Sequence, residues 1–313
     1  MKVLLFCDPG IDDAFAIMYA LLHEKIEVVG IVTSYGNVSK QKTIDNAHFL
    51  THLAGKQSIP IIEGAVGPLS ADFKVFYPEI HGEYGIGQVI SPSYPGVEKG
   101  FGTLFDIIDK CGSDPDFVIV DVGRSTSLAS AFILSEKTME KVQHIVLMGG
   151  AFHVPGNVTS VAEANWHGDP IATNIVLQKS KKVTIFPLNV TVNAVWPKVF
   201  RKTLYAKSEN SFRQLYRPML EYYAKAYKEL KPSLDGPPLH DLLVIYGIVH
   251  MNRLTTMQKK VSVETNGSFR GMSVADFRQI YRDKESHHHI VVSFPYDHYM
   301  QETMRVLISP QPT

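Results

Sequence analysis

Asp8-Pro9-Gly10-Ile11-Asp12-Asp13 places three carboxylates between positions 8 and 13 of a 313-residue chain. Pro9 and Gly10 specify a tight turn. Asp12 and Asp13 open the segment that follows, where the free N–H groups and dipole of a helix start favour negative charge. Capping accounts for one of the three acids, not for all. Carboxylates that converge on one point stay ionised near neutral pH only beside a compensating cation. Oxygen-only donors select a hard cation, Ca²⁺ or Mg²⁺.

Residues 2–7 read as a buried strand that ends at this loop, and Asp12 to about His23 as a helix. Residues 26–33 predict a second strand and 40–54 a second helix. Further strands are expected at 117–122, 144–148 and 183–186, with helices at 126–136 and 169–179. Continuous apolar strands separated by helices specify an α/β fold with a mostly parallel central sheet covered by helices on both faces. Reactive groups in such sheets gather at the carboxyl ends of the strands. Each polar motif in this chain begins where a predicted strand stops. Residues 209–230 form a long helical run carrying Tyr216, Tyr222, Tyr223 and Tyr227, and Lys231-Pro232 to Pro237-Pro238 breaks it. A helix from near Leu239-His240-Asp241 to about His250, strands near 260–265 and 288–294, and a final helix from about 296 complete the chain. No internal repeat, low-complexity tract or linker stands out, so residues 1–313 read as a single domain.

Lys+Arg and Asp+Glu each total 31. That balance offers no bulk attraction to nucleic acid or to a membrane surface. Two cysteines, Cys7 and Cys111, exclude a disulfide framework and suit a reducing compartment. Cys7 reads as a small buried side chain. The first apolar run is too short for a signal peptide, and no stretch is long enough to span a bilayer. A cytoplasmic location is expected.

The acidic loop resembles the N-terminal signature D-x-D-P-G-x-D-D of the inosine-uridine-preferring nucleoside hydrolase family. The resemblance continues in order along most of the chain. Tyr35-Gly36-Asn37-Val38 resembles A-G-N-V, and His81-Gly82 with Gly85-Ile86-Gly87 resembles H-G-x-x-G-L-G. Gly123 to Leu128 resembles G-P-L-T-N-L. Met148-Gly149-Gly150, Gly156-Asn157, Ala162-Glu163-Ala164-Asn165 and Asp169-Pro170 resemble M-G-G, G-N, A-E-F-N and D-P, and Leu239-His240-Asp241 resembles L-H-D.

The resemblance implies an open Rossmann-like fold and hydrolysis of the N-glycosidic bond of a small-molecule ribonucleoside to free base and ribose. It implies a Ca²⁺ ion held by Asp8, Asp13, Asp241 and the carbonyl of Thr126, and also by ribose hydroxyls. Asp8 is then also the base that takes a proton from the attacking water. Asp12 accepts the ribose 2′-hydroxyl, while Asn157, Glu163 and Asn165 grip the 3′- and 5′-hydroxyls. Asn37 lies near the metal. His240 faces the nucleobase and protonates it as it leaves, with His81 a second base-side group and Tyr223 and Tyr227 closing over the base. Relatives form dimers or tetramers, so a homodimer or homotetramer is expected.

Three departures qualify the match. Phe6 stands where the signature begins with aspartate, on the same side of the strand as Asp8, and the resemblance implies that the missing carboxylate supports the metal loop. Asn189 stands where relatives often carry aspartate, which suggests that the two changes compensate. Arg124-Ser125 replaces Pro-Leu, and Ser127 replaces Asn. A guanidinium pointing inward would repel a cation, so Arg124 is expected to point away. Phe6 and Arg124 keep two alternatives open: a ribose or nucleoside binder without turnover, and a hydrolase of a different N-riboside. An aspartyl phosphotransferase is disfavoured by Phe6 and Pro9-Gly10. His287-His288-His289 reads as a solvated strand end.

Overall fold

The computed structural model describes residues 1–70, 75–94, 98–278 and 286–310. Its strands are β1 (Lys2–Cys7), β2 (Glu27–Thr33), β3 (Ile61–Glu63), β4 (Phe117–Asp121), β5 (Ile145–Met148), β6 (Val183–Phe186), β7 (Thr255–Gln258), β8 (Val261–Val263), β9 (Ser273–Ala275) and β10 (His288–Ser293). The first helices are α1 (Ile11–Leu22), α2 (Lys40–Leu53), α3 (Pro78–His81), α4 (Gly102–Cys111), α5 (Thr126–Leu134) and α6 (Glu136–Met139). They are followed by α7 (Ala164–Gly168), α8 (Pro170–Lys179), α9 (Leu188–Thr191), α10 (Lys198–Lys207), α11 (Arg213–Leu230), α12 (His240–Val249) and α13 (Tyr296–Ile308).

Eight strands form one sheet in the order β3-β2-β1-β4-β5-β6-β10-β7. Every pair is parallel except β10 with the edge strand β7. The chain therefore winds outward from β1 in one direction and from β4 in the other, as in doubly wound folds. The crevice at that switch point, beyond the carboxyl ends of β1 and β4, is where such sheets bind ligands. Asp8 follows β1 directly.

β1 shows why the sheet is covered twice. Val3, Leu5 and Cys7 join the apolar layer that contains α1 and α12, while Leu4 and Phe6 join the layer on the opposite face with α5 and α8. All twelve residues of α1 are buried, including Asp12 and Asp13 in its first turn. This helix lies along α12, another apolar helix, and the two N-termini bring Asp12, Asp13 and Asp241 to one end of the sheet.

Most predicted elements appear within two residues of their expected ends. Helices α4 and α10 and strands β3, β7 and β9 have no counterpart among the elements expected from the sequence; strands of three or four residues carry too little pattern to register. Residues 260–265 do not join the main sheet; β8 pairs with β9 in a separate antiparallel ribbon. The expectation of a solvated histidine run is corrected at His288, which is 3% exposed. Its Nδ1 accepts the Val261 N–H at 3.0 Å and its Nε2 lies 2.9 Å from the Leu177 carbonyl, so it staples β10 to neighbouring segments.

Gly247 sets how closely α12 approaches the sheet. A Cβ there would lie 2.3 Å from Cζ of Phe186, a buried ring on β6. Replacing a helical glycine with alanine gains about 1 kcal/mol of propensity, but overpacking a core costs about 1–3 kcal/mol. Gly247→Ala is therefore expected to lower the unfolding free energy by about 1 kcal/mol in a urea titration. A neutral or stabilised variant would show that Phe186 can yield.

Candidate active site

Asp8 is wedged between two loops. A Cβ on Gly36, after β2, would fall 1.6 Å from Asp8 Oδ2, and one on Gly123, after β4, would fall 2.6 Å from Oδ1. Only glycine allows the flanking loops to close on this carboxylate from both neighbouring strands. Asp8 Oδ2 accepts the Asn37 N–H at 2.6 Å. Asp13 folds back on the loop, accepting the N–H groups of Asp8 (3.1 Å) and Gly10 (3.0 Å) and the Asn37 side-chain amide (2.8 Å). Asn37 thus ties Asp8 to Asp13.

Asp8, Asp12, Asp13 and Asp241 are all buried. Carboxylate oxygens of Asp12, Asp13 and Asp241 lie within 4.8 Å of one another and could hold a metal ion. Burial first, and then the neighbouring carboxylates, pushes Asp8 and Asp241 well above the usual carboxylate range. The same two causes push Asp12 up to about 8. Burial also raises Asp13. Asp12 Oδ1 is buried without a hydrogen-bond partner. Among the described residues no lysine or arginine forms an ion pair with any of the four. This is an anionic hole in a low-dielectric setting, and it fits a cation with oxygen preference.

A cleft of about 270 Å³ opens above the cluster. Asp12, Asn37, His81, Asn157, Glu163, Asn165, Tyr223, Tyr227, His240 and Asp241 all line it, so ten of the residues singled out from the sequence share one surface. Asp8, Asp13 and Thr126 are not among its lining residues. The hydroxyl of Thr126 donates to Asp169 Oδ2 at 2.7 Å, and its carbonyl accepts the Ser130 hydroxyl at 2.8 Å.

One side of the cleft is aromatic. The Tyr227 hydroxyl lies 2.9 Å from His240 Nε2, and His240 Nδ1 lies 2.8 Å from the Thr191 hydroxyl. Tyr223 is hydrogen-bonded to Asp12, and its ring centroid is 5.6 Å from that of His81. His81 Nδ1 accepts the Ile11 N–H at 3.1 Å, which leaves its proton on Nε2. Burial holds both imidazoles neutral, lowering each to about 3. The opposite side is polar. Glu163 caps α7 by accepting the N–H groups of Asn165 and Trp166, and it also takes the Gly150 N–H at 3.0 Å. Asn165 donates to the Val122 carbonyl at 2.8 Å, and Asn157 accepts the Ala164 N–H at 2.9 Å.

The family model described as inosine-uridine preferring nucleoside hydrolase matches residues 3–301. The chain belongs to this family. It is 33% identical over 307 residues to the inosine-uridine preferring nucleoside hydrolase of Leishmania major, covering 95% of this chain and 94% of that one. It is 32% identical to the pyrimidine-specific ribonucleoside hydrolase RihA of Escherichia coli, covering 88% and 89%. Among solved structures, a purine-preferring ribonucleoside hydrolase from Gardnerella vaginalis superposes with a TM-score of 0.90 at 30% identity, covering 98% of both chains. The protein is therefore an enzyme that hydrolyses N-glycosyl bonds of ribonucleosides. The names of these relatives divide over the preferred base.

One expectation about the departures is corrected. The Asn189 amide is taken by Phe152, accepting its N–H at 2.8 Å and donating to its carbonyl, so it braces the 150s loop and does not replace a carboxylate near Phe6. Among the described residues Arg124 forms no ion pair with the four aspartates. It is buried, stacks 4.8 Å from the Tyr35 ring centroid, and donates to the carbonyls of Val75 (2.6 Å) and Gly36 (3.4 Å). From there its charge favours the ionised form of Asp8. Sequence reasoning also missed Tyr77, Ile80, Leu188 and Lys231, which line the hydrolase's cleft. Tyr77 and Ile80 precede His81 so closely that the His-Gly motif could have pointed to them; Leu188 carries no such signal.

An acid whose folded pKa is raised still holds its proton when the unfolded chain has lost it, so stability falls as pH rises through that interval. Here the interval runs from the ordinary value of 3.8 to about 8 for Asp12. Cation-stripped hydrolase is expected to lose melting temperature from about pH 4 to about pH 8. A divalent cation added at the upper pH should restore the loss. A flat profile in stripped protein would mean that protein groups already neutralise the cluster.

Proposed function

We propose that this hydrolase cleaves ribonucleosides to free base and ribose with Ca²⁺ held by Asp8, Asp13 and Asp241; the Thr126 carbonyl, expected as a further ligand, is instead taken by Ser130 within α5. The observation that carries the reading is the convergence of buried carboxylates beneath a cleft with one polar and one aromatic wall. Asp12 belongs to the same cluster and extends its oxygen set. Bound there, Ca²⁺ would supply Lewis acidity that lowers the pKa of water and a flexible oxygen shell for a ribose diol.

Asp8 acts as the proton acceptor for the water that attacks C1′. Its orientation is set by the Asn37 N–H and by the Gly36 and Gly123 backbones, so little reorganisation is needed at the moment of reaction. Asp12 takes the 2′-hydroxyl, and Asn157, Glu163 and Asn165 bind the sugar from the polar wall. The sugar gains oxocarbenium character as the base departs, the problem glycosidases also solve. His240 is neutral, so it serves the leaving base through the Tyr227–His240 hydroxyl–imidazole pair and not as a stored imidazolium. His81, Tyr223 and Tyr227 frame the base. The enzyme works in nucleoside salvage in the cytoplasm as a homodimer or homotetramer. Among the described residues no helix is long and apolar enough to cross a membrane.

Reducing-sugar release from inosine, uridine, cytidine, adenosine and nicotinamide riboside tests the reading. Turnover is expected to be lost on chelation and regained with Ca²⁺, and a thymidine rate comparable to that on uridine would contradict the 2′-hydroxyl role. Asp8→Ala is expected to fold normally and lose about 10²–10⁴-fold in kcat. Near-native activity would remove Asp8 as the base.

A further inference from the structure

β1 and β4 pair in register so that Phe6 opposes Asp121. Following the pairing outward gives a row across the carboxyl end of the sheet: Val32, Phe6, Asp121, Leu147 and Ile185. The four apolar members share one buried core layer. Asp121 is 1% exposed. One of its oxygens accepts the Gly123 N–H at 3.3 Å, and the Ser125 hydroxyl also bonds to the carboxyl. The other oxygen, Oδ2, is buried with no partner.

Packing does not explain an acid in this row. A carboxylate placed among Val, Phe, Leu and Ile is costly, and an unsatisfied oxygen adds to the cost. Its bonds go to one place, the Gly123–Ser125 turn. That turn presses Gly123 against Asp8 and leads into Thr126, the first residue of α5. The Val122 N–H donates to the Phe6 carbonyl at 2.9 Å, so position 6 lies alongside the same turn. Position 6 is where the family signature carries the aspartate that this chain lacks.

We propose that Asp121 is a positioning residue that has taken over, from β4, the task of the signature's first aspartate on β1: it fixes the Gly123–Ser125 turn against Asp8 and so shapes the cation site. A carboxylate moved one strand sideways in a parallel sheet keeps its depth and its face. Support of this kind is what sets ligand geometry around a metal, and its removal typically weakens binding by about 10–100-fold. The proposal rests on the calcium reading above.

The test is calorimetric Ca²⁺ titration of the chelator-stripped full chain, alongside its melting temperature without cation. Ca²⁺ binding by the unaltered protein tests the calcium reading by itself, and its absence overturns both. Given that binding, Asp121→Ala should weaken Ca²⁺ by about 10–100-fold while leaving the cation-free melting temperature unchanged or higher. Asp121→Asn, which keeps an acceptor for the Gly123 N–H, should weaken it less. Exchanging the two side chains in Phe6→Asp/Asp121→Phe should bring affinity back to within several-fold of the unaltered protein. Unchanged affinity in Asp121→Ala overturns the proposal, as does a lowered melting temperature without loss of affinity, or an exchange variant that binds no better than Asp121→Ala. If the exchange variant does not fold, the order of Asp121→Ala and Asp121→Asn decides.

Discussion

Four carboxylates buried at one end of a parallel sheet impose the governing constraint on this molecule. Each is raised by desolvation, and three are raised further by one another. Such a cluster is tolerable only if the surrounding fold is stable enough to hold it and a counter-charge can enter. The first condition is met by the wholly buried α1, its packing against α12, and the two apolar layers that enclose β1. The second is met by the cleft directly above Asp12 and Asp241. Stability at the site is given up locally and supplied by the core around it, a pattern expected where chemistry needs an unfavourable arrangement.

The cleft divides by origin as well as by polarity. Its acidic floor comes from the turn after β1 and from the starts of α1 and α12, all anchored in the core. Its polar wall comes from the segment after β5, where Glu163 and Asn165 are held by several backbone bonds each. Its aromatic wall comes from α11, whose Tyr223 and Tyr227 reach Asp12 and His240. The floor and the polar wall are therefore held by the core and by backbone bonds, while the opposite wall consists of side chains projecting from α11 and of His81. That division suits a family whose named members differ over the base.

Phe6, Arg124 and Asp121 describe one local rearrangement. Removing a carboxylate from β1 leaves an apolar ring in the row, and an acid stands on the next strand in register with it. Arg124 enters the same loop, and its charge offsets part of the carboxylate excess at Asp8 while its guanidinium is used by the carbonyls of Val75 and Gly36. Only Nη2 of that guanidinium is bonded among the described residues, Nη1 being buried without a partner, and the group lies against the Tyr35 ring.

Local chemistry made much of this legible from the chain alone. The strands declare themselves as apolar runs, α1 and α12 as apolar helices with acidic starts, and the Asp-Pro-Gly-x-Asp-Asp turn as an excess of charge that capping cannot absorb. Their alternation sets the α/β class, and the ordered motifs set the family and nearly all of the cleft. What the chain could not disclose depends on which residues become neighbours across strands. The pairing of Phe6 with Asp121, the capture of Asn189 by Phe152, the burial of Arg124 against Tyr35 and the Thr191–His240–Tyr227 chain all join positions distant in sequence. No local periodicity encodes them, because they follow from register and from the packing of whole elements, and those exist only once the sheet has formed.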